Sequence, residues 1–393
     1  KEYFFFYNQK KKINQIKKLK LNFFIDDLPE VLCDKNFPRI TKKILFSKSK
    51  NNNEDIININ NWFKIDQVIN GCWSIDHLKK LSSILLKKND ILHLDQVHNG
   101  INSKVYKLKL KKNKSLILKM YPFEDTLVSR RMRIENESLK YLNKNNFPVP
   151  KVFKAFLEFN CSFFEFQSGK KITKATKLSI DQCYEFVNKL SLLSRQTKIK
   201  LFPNAKEACF NPNEICKQIE KKFHILKKID NKELNNFLLL NFHRLFTKYS
   251  RKAKKRFKKK ITNNIAISNR ILSPSDFGLH NTISHNNKLY FLDFEYFGWD
   301  DPIKLICDFF WHPGNNVSKK LKIRFLNKVI NLFSKNYKNF KNKLYVLLPL
   351  YGLRWCLIIL NCFVKKNHTN KILETQQLKK AQKILNQMSH YGY

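Results

Sequence analysis

Residues 344–363, LYVLLPLYGLRWCLIILNCF, form a twenty-residue apolar run that leaves the chain few ways to fold. A helix of that length can cross a bilayer, or it can be the central helix of a lobe large enough to enclose it. Arg354 sits near the middle of the run, with Pro349 and Gly352 close by. A central arginine costs about 3 kcal/mol on insertion scales, so the buried-helix reading is preferred and no membrane span is expected. The chain has the material for such a lobe: 393 residues, 43 % of them hydrophobic, with 34 Phe. That composition excludes wholesale disorder and leaves room for one to three domains.

The formal charge of +45, from 76 Lys+Arg against 31 Asp+Glu, points first to polyanions. Its make-up points elsewhere. Only 11 of the basic residues are Arg, the residue that leads where phosphates or bases are recognised in a bidentate way. Lys, Asn, Ile and Phe, all with A+T-rich codons, dominate, so genomic bias accounts for most of the lysine and nucleic acid is not the expected partner. The run RKAKKRFKKK (251–260), eight basic residues in ten, reads first as a solvated helix or loop. Its functional alternative is contact with an anionic surface or polyanion. Nine scattered cysteines without a CxxC pair argue against a secreted disulfide framework or a zinc ribbon and suit a reducing cytoplasm.

Periodicity divides the chain in three. Residues 1–68 read as a short α/β stretch, 75–165 as strands with one helix, and 166–393 as mostly helical, with a strand pair around 283–293. Val105–Leu110 and Ser115–Tyr121, joined by KKNK, predict a hairpin, and Gly100 before it a tight turn. Met132, Glu135, Leu139 and Leu142 recur at helical steps, and FPVPKVF (147–153) ends that helix.

Lys119, in the apolar strand SLILKMY, and Glu135, on an apolar helix stripe, would each be costly to bury alone, and pairing would relieve both. LSPSDFGLHNTI and KLYFLDFEYFGWDDP then supply Asp276, Asn281 five residues on, and Asp293 at a strand end. A magnesium–nucleotide site needs hard oxygen ligands, and phosphoryl transfer needs a carboxylate that orients the attacking hydroxyl. Singly these residues are an Asx-turn and a strand-end acid; the ordered set is a candidate site. His280 reads as a packed or hydrogen-bonded loop residue, Cys307 as core, and Asp308 as an anchor of its helix to the loop.

In this order the segments from about 75 to 390 resemble the aminoglycoside phosphotransferase family of the protein-kinase-like superfamily. The resemblance implies an α+β, bilobal protein-kinase-like fold with a β-rich lobe (75–165) and a helical lobe (166–393). It implies that GINSKVY, with Gly100, Asn102 and Ser103, covers nucleotide phosphates and that Lys119 contacts them. Glu135 would be the lysine's partner, with Glu137 as the fallback. In FFEFQSGKKI (163–172), backbone groups from Glu165 to Gln167 would meet the adenine edge. Asp276 corresponds to the catalytic aspartate, Asn281 and Asp293 to the magnesium ligands, and ATP and Mg2+ to the cofactors. Two departures stand out: Pro274 where the family has His, and Gly278 before His280 in an altered order.

Residues 1–68 resemble the C-terminal end of a haloacid-dehalogenase-like domain, with Lys12 in the phosphate-stabilising role and Asp26 and Asp27 as the metal-binding acids. The nucleophile motif of that superfamily is absent from the chain, so this part is expected to be a fragment or a vestige. The expected activity is phosphorylation of a hydroxyl on a small molecule, a sugar ahead of choline-like or aminoglycoside acceptors. The alternatives are a non-catalytic polyanion-binding protein on a kinase-like scaffold, and the kinase half of a bifunctional kinase–phosphatase.

Overall fold

The structure, a computed structural model, describes residues 6–39, 41–49, 53, 55–62, 65–70, 75–87, 91–99, 103–111, 114–121, 125–364 and 371–388. It divides into two compact units: 1–129 with 154–164, and 130–153 with 165–393.

The first unit opens with helix α1 (Gln9–Leu19). The Asn8 side chain accepts from the Lys11 amide at its start, and Lys20 in the left-handed region ends it. Strand β1 (Phe23–Asp26), the short helix α2 (Pro29–Leu32), and strands β2 (Lys42–Phe46) and β3 (Ile56–Ile59) follow. The strands pair in parallel, in the order β1-β2-β3. Ile16, Leu32, Phe37, Leu45 and Ile56 form the small core beneath them.

Helices α3 (Ile65–Asn70) and α4 (Ile75–Leu86) lead to strands β4 (Ile91–Asn99), β5 (Lys104–Leu110) and β6 (Ser115–Met120). The expected hairpin is β5–β6, antiparallel from Lys104↔Met120 to Lys109↔Ser115. Tyr106, Leu108 and Leu110 are buried while Lys109 is exposed, the period-two signature of a sheet with one face on a core. After helix α5 (Asp125–Lys144), strands β7 (Val152–Phe156) and β8 (Cys161–Glu165) complete a five-stranded sheet of order β4-β5-β6-β8-β7.

The second unit is helical, with small sheets inserted. Strand β9 (Lys170–Lys171) precedes helices α6 (Lys177–Gln196), α7 (Pro212–Lys227), α8 (Lys232–Asn236) and α9 (His243–Phe257). Then come β10 (Ile271–Ser273), β11 (Thr282–His285), β12 (Lys288–Phe291) and β13 (Gly298–Asp300). The turn between β11 and β12 is Asn286–Asn287, both at positive φ, the conformation a two-residue antiparallel hairpin favours. Helices α10 (Pro302–Trp311), α11 (Lys319–Ser334), α12 (Phe340–Ile359) and α13 (Lys371–Met388) close the chain. The basic run 251–260 covers the end of α9 and the turn after it, and most of its side chains are exposed.

Helix α12 carries the apolar run and is mostly buried in this unit. Gly352 lets α10 and α13 approach it, because a Cβ there would press on the Trp311 ring and the Met388 sulfur. Arg354 is buried with partners. Its Nη1 lies 3.1 Å from Asp308 Oδ1, its Nε donates to Gln218 Oε1 at 3.0 Å, and its Nη2 pairs with Glu207. The Trp355 indole donates to the same Asp308 oxygen at 2.8 Å. The other Asp308 oxygen lies 2.9 Å from Lys304 Nζ, which also reaches Asp300 at 2.9 Å. An arginine that would be costly in lipid here neutralises acids that would be costly in a core.

Candidate active site

Aromatic packing positions the candidate acids of the second unit. Phe277, beside Asp276, and Phe294, beside Asp293, both pack on Phe186 of α6, with ring centroids 5.6 and 6.4 Å away. Phe291 lies 4.1 Å from the same ring. Burial of these rings ties the 274–281 loop and the end of β12 to one core, so the acids next to them inherit a fixed backbone. Ser275 and Asp293 both adopt positive φ, 69° and 64°, sparsely populated conformations that bracket the site.

Asp276 is partly exposed and held on several sides. His280 Nε2 lies 3.1 Å from its Oδ1, and His312 Nε2 lies 3.4 Å from the same oxygen. Asn281 Nδ2 donates to the Asp276 carbonyl at 3.0 Å and to Oδ2 at 3.3 Å. The two imidazoles stack face to face, centroids 3.7 Å apart and planes 6° apart, and Trp355 meets His312 edge-on at 4.6 Å.

The protonation state follows from the hydrogen bonds. Asn315 donates its Nδ2 to the Phe309 carbonyl at 2.9 Å, which turns its oxygen toward His280 Nδ1, 3.0 Å away. Facing an acceptor on each ring nitrogen, His280 must donate from both, so it is an imidazolium. Burial opposes that charge, but the bonds and charge of Asp276 and the Asn315 contact raise its pKa above the ordinary value. Burial likewise works against an ionised Asp276; the His280 hydrogen bond, the adjacent imidazoles and Asn281 outweigh it and bring its pKa to about 2. Burial and the His280 charge push His312 down to about 4. At pH 7 His312 is therefore neutral, and the cation beside Asp276 is His280.

A second cluster forms around Asp293. Carboxylate oxygens of Glu135, Asp293 and Glu295 lie within 4.8 Å of one another. Glu135 and Glu295 are buried, and Glu135 Oε1 accepts from the Phe294 amide at 3.2 Å. Donors that are all oxygen suit a hard cation such as magnesium rather than zinc or copper. Asn281 spends its amide nitrogen on Asp276, which leaves its side-chain oxygen as an acceptor. Nearby, Tyr296 carries Lys206 Nζ 4.0 Å from its ring centroid and the Arg131 guanidinium at 5.3 Å. Burial lowers the Lys206 pKa, and the Arg131 charge adds to that.

The structure thus brings Glu135 to Asp293, and Asp276 to Asn281. Glu137, the fallback, is exposed. Lys119 belongs to the first unit, where it is buried on β6 with its Nζ 5.2 Å from the Tyr121 ring centroid. Ser103 directly precedes β5, whereas Gly100 and Asn102 lie outside the described residues. The Glu165 amide already donates to the Lys151 carbonyl at 2.9 Å, which removes one of the backbone donors expected between Glu165 and Gln167. Lys12 forms an ion pair with the buried Asp26, while Asp27 is exposed.

Sequence reading missed His312, Asn315 and Glu295. The first two stand in WHPGNN, over thirty residues from Asp276, with no periodicity to mark them. Glu295 had a signal, an acid two residues after Asp293. His280, read as a packed or hydrogen-bonded loop residue, hydrogen-bonds Asp276 itself.

Residues 93–203 match the profile of a phosphotransferase enzyme family (APH). A search of curated protein sequences finds no match. Solved structures similar to the chain include a choline kinase from Streptococcus pneumoniae, with 16 % identity, 79 % of this chain and 98 % of that one covered, and a TM-score of 0.51. A spectinomycin phosphotransferase in complex with ADP and spectinomycin shows 13 % identity, 80 % and 98 % coverage, and a TM-score of 0.55. A choline/ethanolamine kinase family protein from Mesorhizobium loti shows 13 % identity, 80 % and 97 % coverage, and a TM-score of 0.54. The fold is protein-kinase-like, with a sheet-rich part followed by a helical one.

Proposed function

We propose that the chain transfers the γ-phosphoryl group of ATP to a hydroxyl of a small molecule. The observation that carries this reading is Asp276. It is an ionised, oriented carboxylate bonded to Asn281, and seventeen residues further along the chain Asp293 anchors an all-oxygen cluster. The family match over 93–203 and a similar structure in complex with ADP and spectinomycin support it.

With a pKa near 2, Asp276 is a weak base, and its contribution is positional. It accepts a hydrogen bond from the acceptor hydroxyl and aims the oxygen along the line of attack, then takes the proton late as the new P–O bond forms. Phosphoryl transfer through a loose transition state asks for alignment more than for strong proton abstraction. The His280 imidazolium fixes the carboxylate rotamer, and Asn315 fixes His280. Asn281 and Asp293 would hold Mg2+, with Glu295 beside Asp293; when bound, the ion neutralises phosphate charge. Lys119 has the role of phosphate-contacting lysine. A sugar hydroxyl is the first acceptor to test, ahead of choline-like and aminoglycoside alcohols.

Purified protein with ATP and magnesium should phosphorylate a member of a sugar and amino-alcohol panel. Asp276→Asn should lower turnover by about a hundredfold or more while nucleotide affinity stays close to that of the parent. Turnover unchanged in the variant would remove Asp276 from the mechanism.

A further inference from the structure

The basic run 251–260 finds no use in the site above, yet the second unit gives its end a distinct setting. A cavity of about 530 Å³ opens between the end of α9, the 258–266 segment and the start of α12. That volume lies within the range of small-molecule sites, roughly 300–1,000 Å³.

Its walls are chemically one-sided. Arg256, Lys260, Lys338 and Lys343 all line it, and Asp301 is the only carboxylate on its lining. Asp301 is already committed to capping α10, accepting from the Ile303 amide at 2.8 Å. Lys343 sits where burial and the like charge of Lys260 both lower its pKa, opposed by Asp301. The like charges of Lys260 and Lys343 repel one another, and an anion beside them relieves the repulsion.

The backbone adds to the same field. Helices α7, α10 and α12 all begin at this cavity, through Asn211, Asp301 and Asn339. The start of α12, a twenty-residue helix, has no side-chain cap, and Asn339 before it stands at φ 60°. Positive ends of helix dipoles favour anions in that position. The same lining also carries the rings of Phe257, Tyr337 and Tyr351. A ligand with an anionic end and a carbon framework matches that mixture of cations and rings.

We propose that this cavity is a second binding site, for a phosphorylated small organic molecule whose phosphate meets Arg256, Lys260 and Lys343. Its apolar lining and the half-buried Lys343 set it apart from the exposed charge run that leads into it. The proposal is independent of the phosphotransferase reading, since none of these residues belongs to the Asp276 or Asp293 clusters.

The test is calorimetric titration of the full chain, at constant ionic strength, with glucose 6-phosphate, glycerol 3-phosphate, AMP and inorganic phosphate. Saturable one-to-one binding is expected for at least one organic phosphate, tighter than for inorganic phosphate. Replacing Arg256, Lys260 and Lys343 together by Ala should weaken it about tenfold or more, through loss of charge-assisted hydrogen bonds. A control with the same charge loss on exposed α13 residues, Lys379, Lys380 and Lys383 to Ala, should leave it unchanged. The proposal is overturned if no organic phosphate saturates, if inorganic phosphate binds as tightly, or if the control loses as much as the triple variant. It is overturned equally if Lys206→Ala abolishes binding, which would place the ligand beside Asp276, or if only a long polyanion such as heparin binds.

Discussion

Replacing Lys304 by Met tests the idea that the helical unit is built around buried charge. Lys304 is 1 % exposed at its side chain, between Asp300 at 0 % and Asp308 at 3 %, with both N–O distances 2.9 Å. Methionine fills nearly the same volume, so the cavity cost is small and the charge effect is isolated. Asp308 keeps Arg354 and the Trp355 indole, but Asp300 loses its cation and retains only backbone donors, from Asp301 at 2.9 Å and Cys209 at 3.4 Å. Stranding one member of a buried pair costs about 3–5 kcal/mol, a large part of a typical stability of about 5–15 kcal/mol. The double variant Lys304→Met/Asp300→Asn leaves no stranded charge, because an asparagine oxygen still accepts from both amides; it should recover more than half of the loss. Urea unfolding followed by tryptophan fluorescence reads this out, since Trp299, Trp311 and Trp355 all lie in the second unit. A single variant losing less than about 1 kcal/mol, or a double whose loss equals the sum of the two singles, would refute the reasoning.

Other expectations concern protonation and orientation. Burial raises the Asp301 pKa from 3.8 to about 7. The native state therefore binds a proton that the unfolded chain has released, and the stability this contributes is full below about pH 4 and lost as pH rises through 7. Asp301→Asn, which keeps the helix cap, should gain on the parent by up to about 4 kcal/mol between pH 4 and 8 in denaturant titrations; a pH-independent difference would contradict this. Asn315→Leu removes the outer partner of His280. It should lower kcat about tenfold with little change in KM for ATP, and a matching rise in KM would argue for a merely structural role.

Local regularities were legible in the sequence. The β5–β6 hairpin and the Met132–Leu142 stripe carry their period in adjacent residues, and Asp276, Asn281 and Asp293 stand in recognisable turns. Membership of the apolar run in a core was also legible, because Arg354 makes the alternative costly. Its partners were not. Glu207, Gln218 and Asp308 are separated from it by 46 to 147 residues, and only packing of α7 and α10 on α12 brings them near. The same holds for His312 and Asn315, which the end of α10 delivers to Asp276. The burial of Lys304 contradicts composition-based expectation altogether, since lysine is abundant and elsewhere mostly exposed.

The altered order of glycine and histidine in DFGLHN has a consequence for descent. A Cβ at position 278 would collide with the Asn315 amide and the His280 ring. Gly278, His280 and Asn315 therefore pack as one block, in which the glycine makes room for the amide that holds the imidazole. Substitution of any one alone undoes the other two. Sequences that share Gly at 278 and His at 280 should also share the amide 35 residues downstream of that histidine, and a loop grafted without it would arrive without its support.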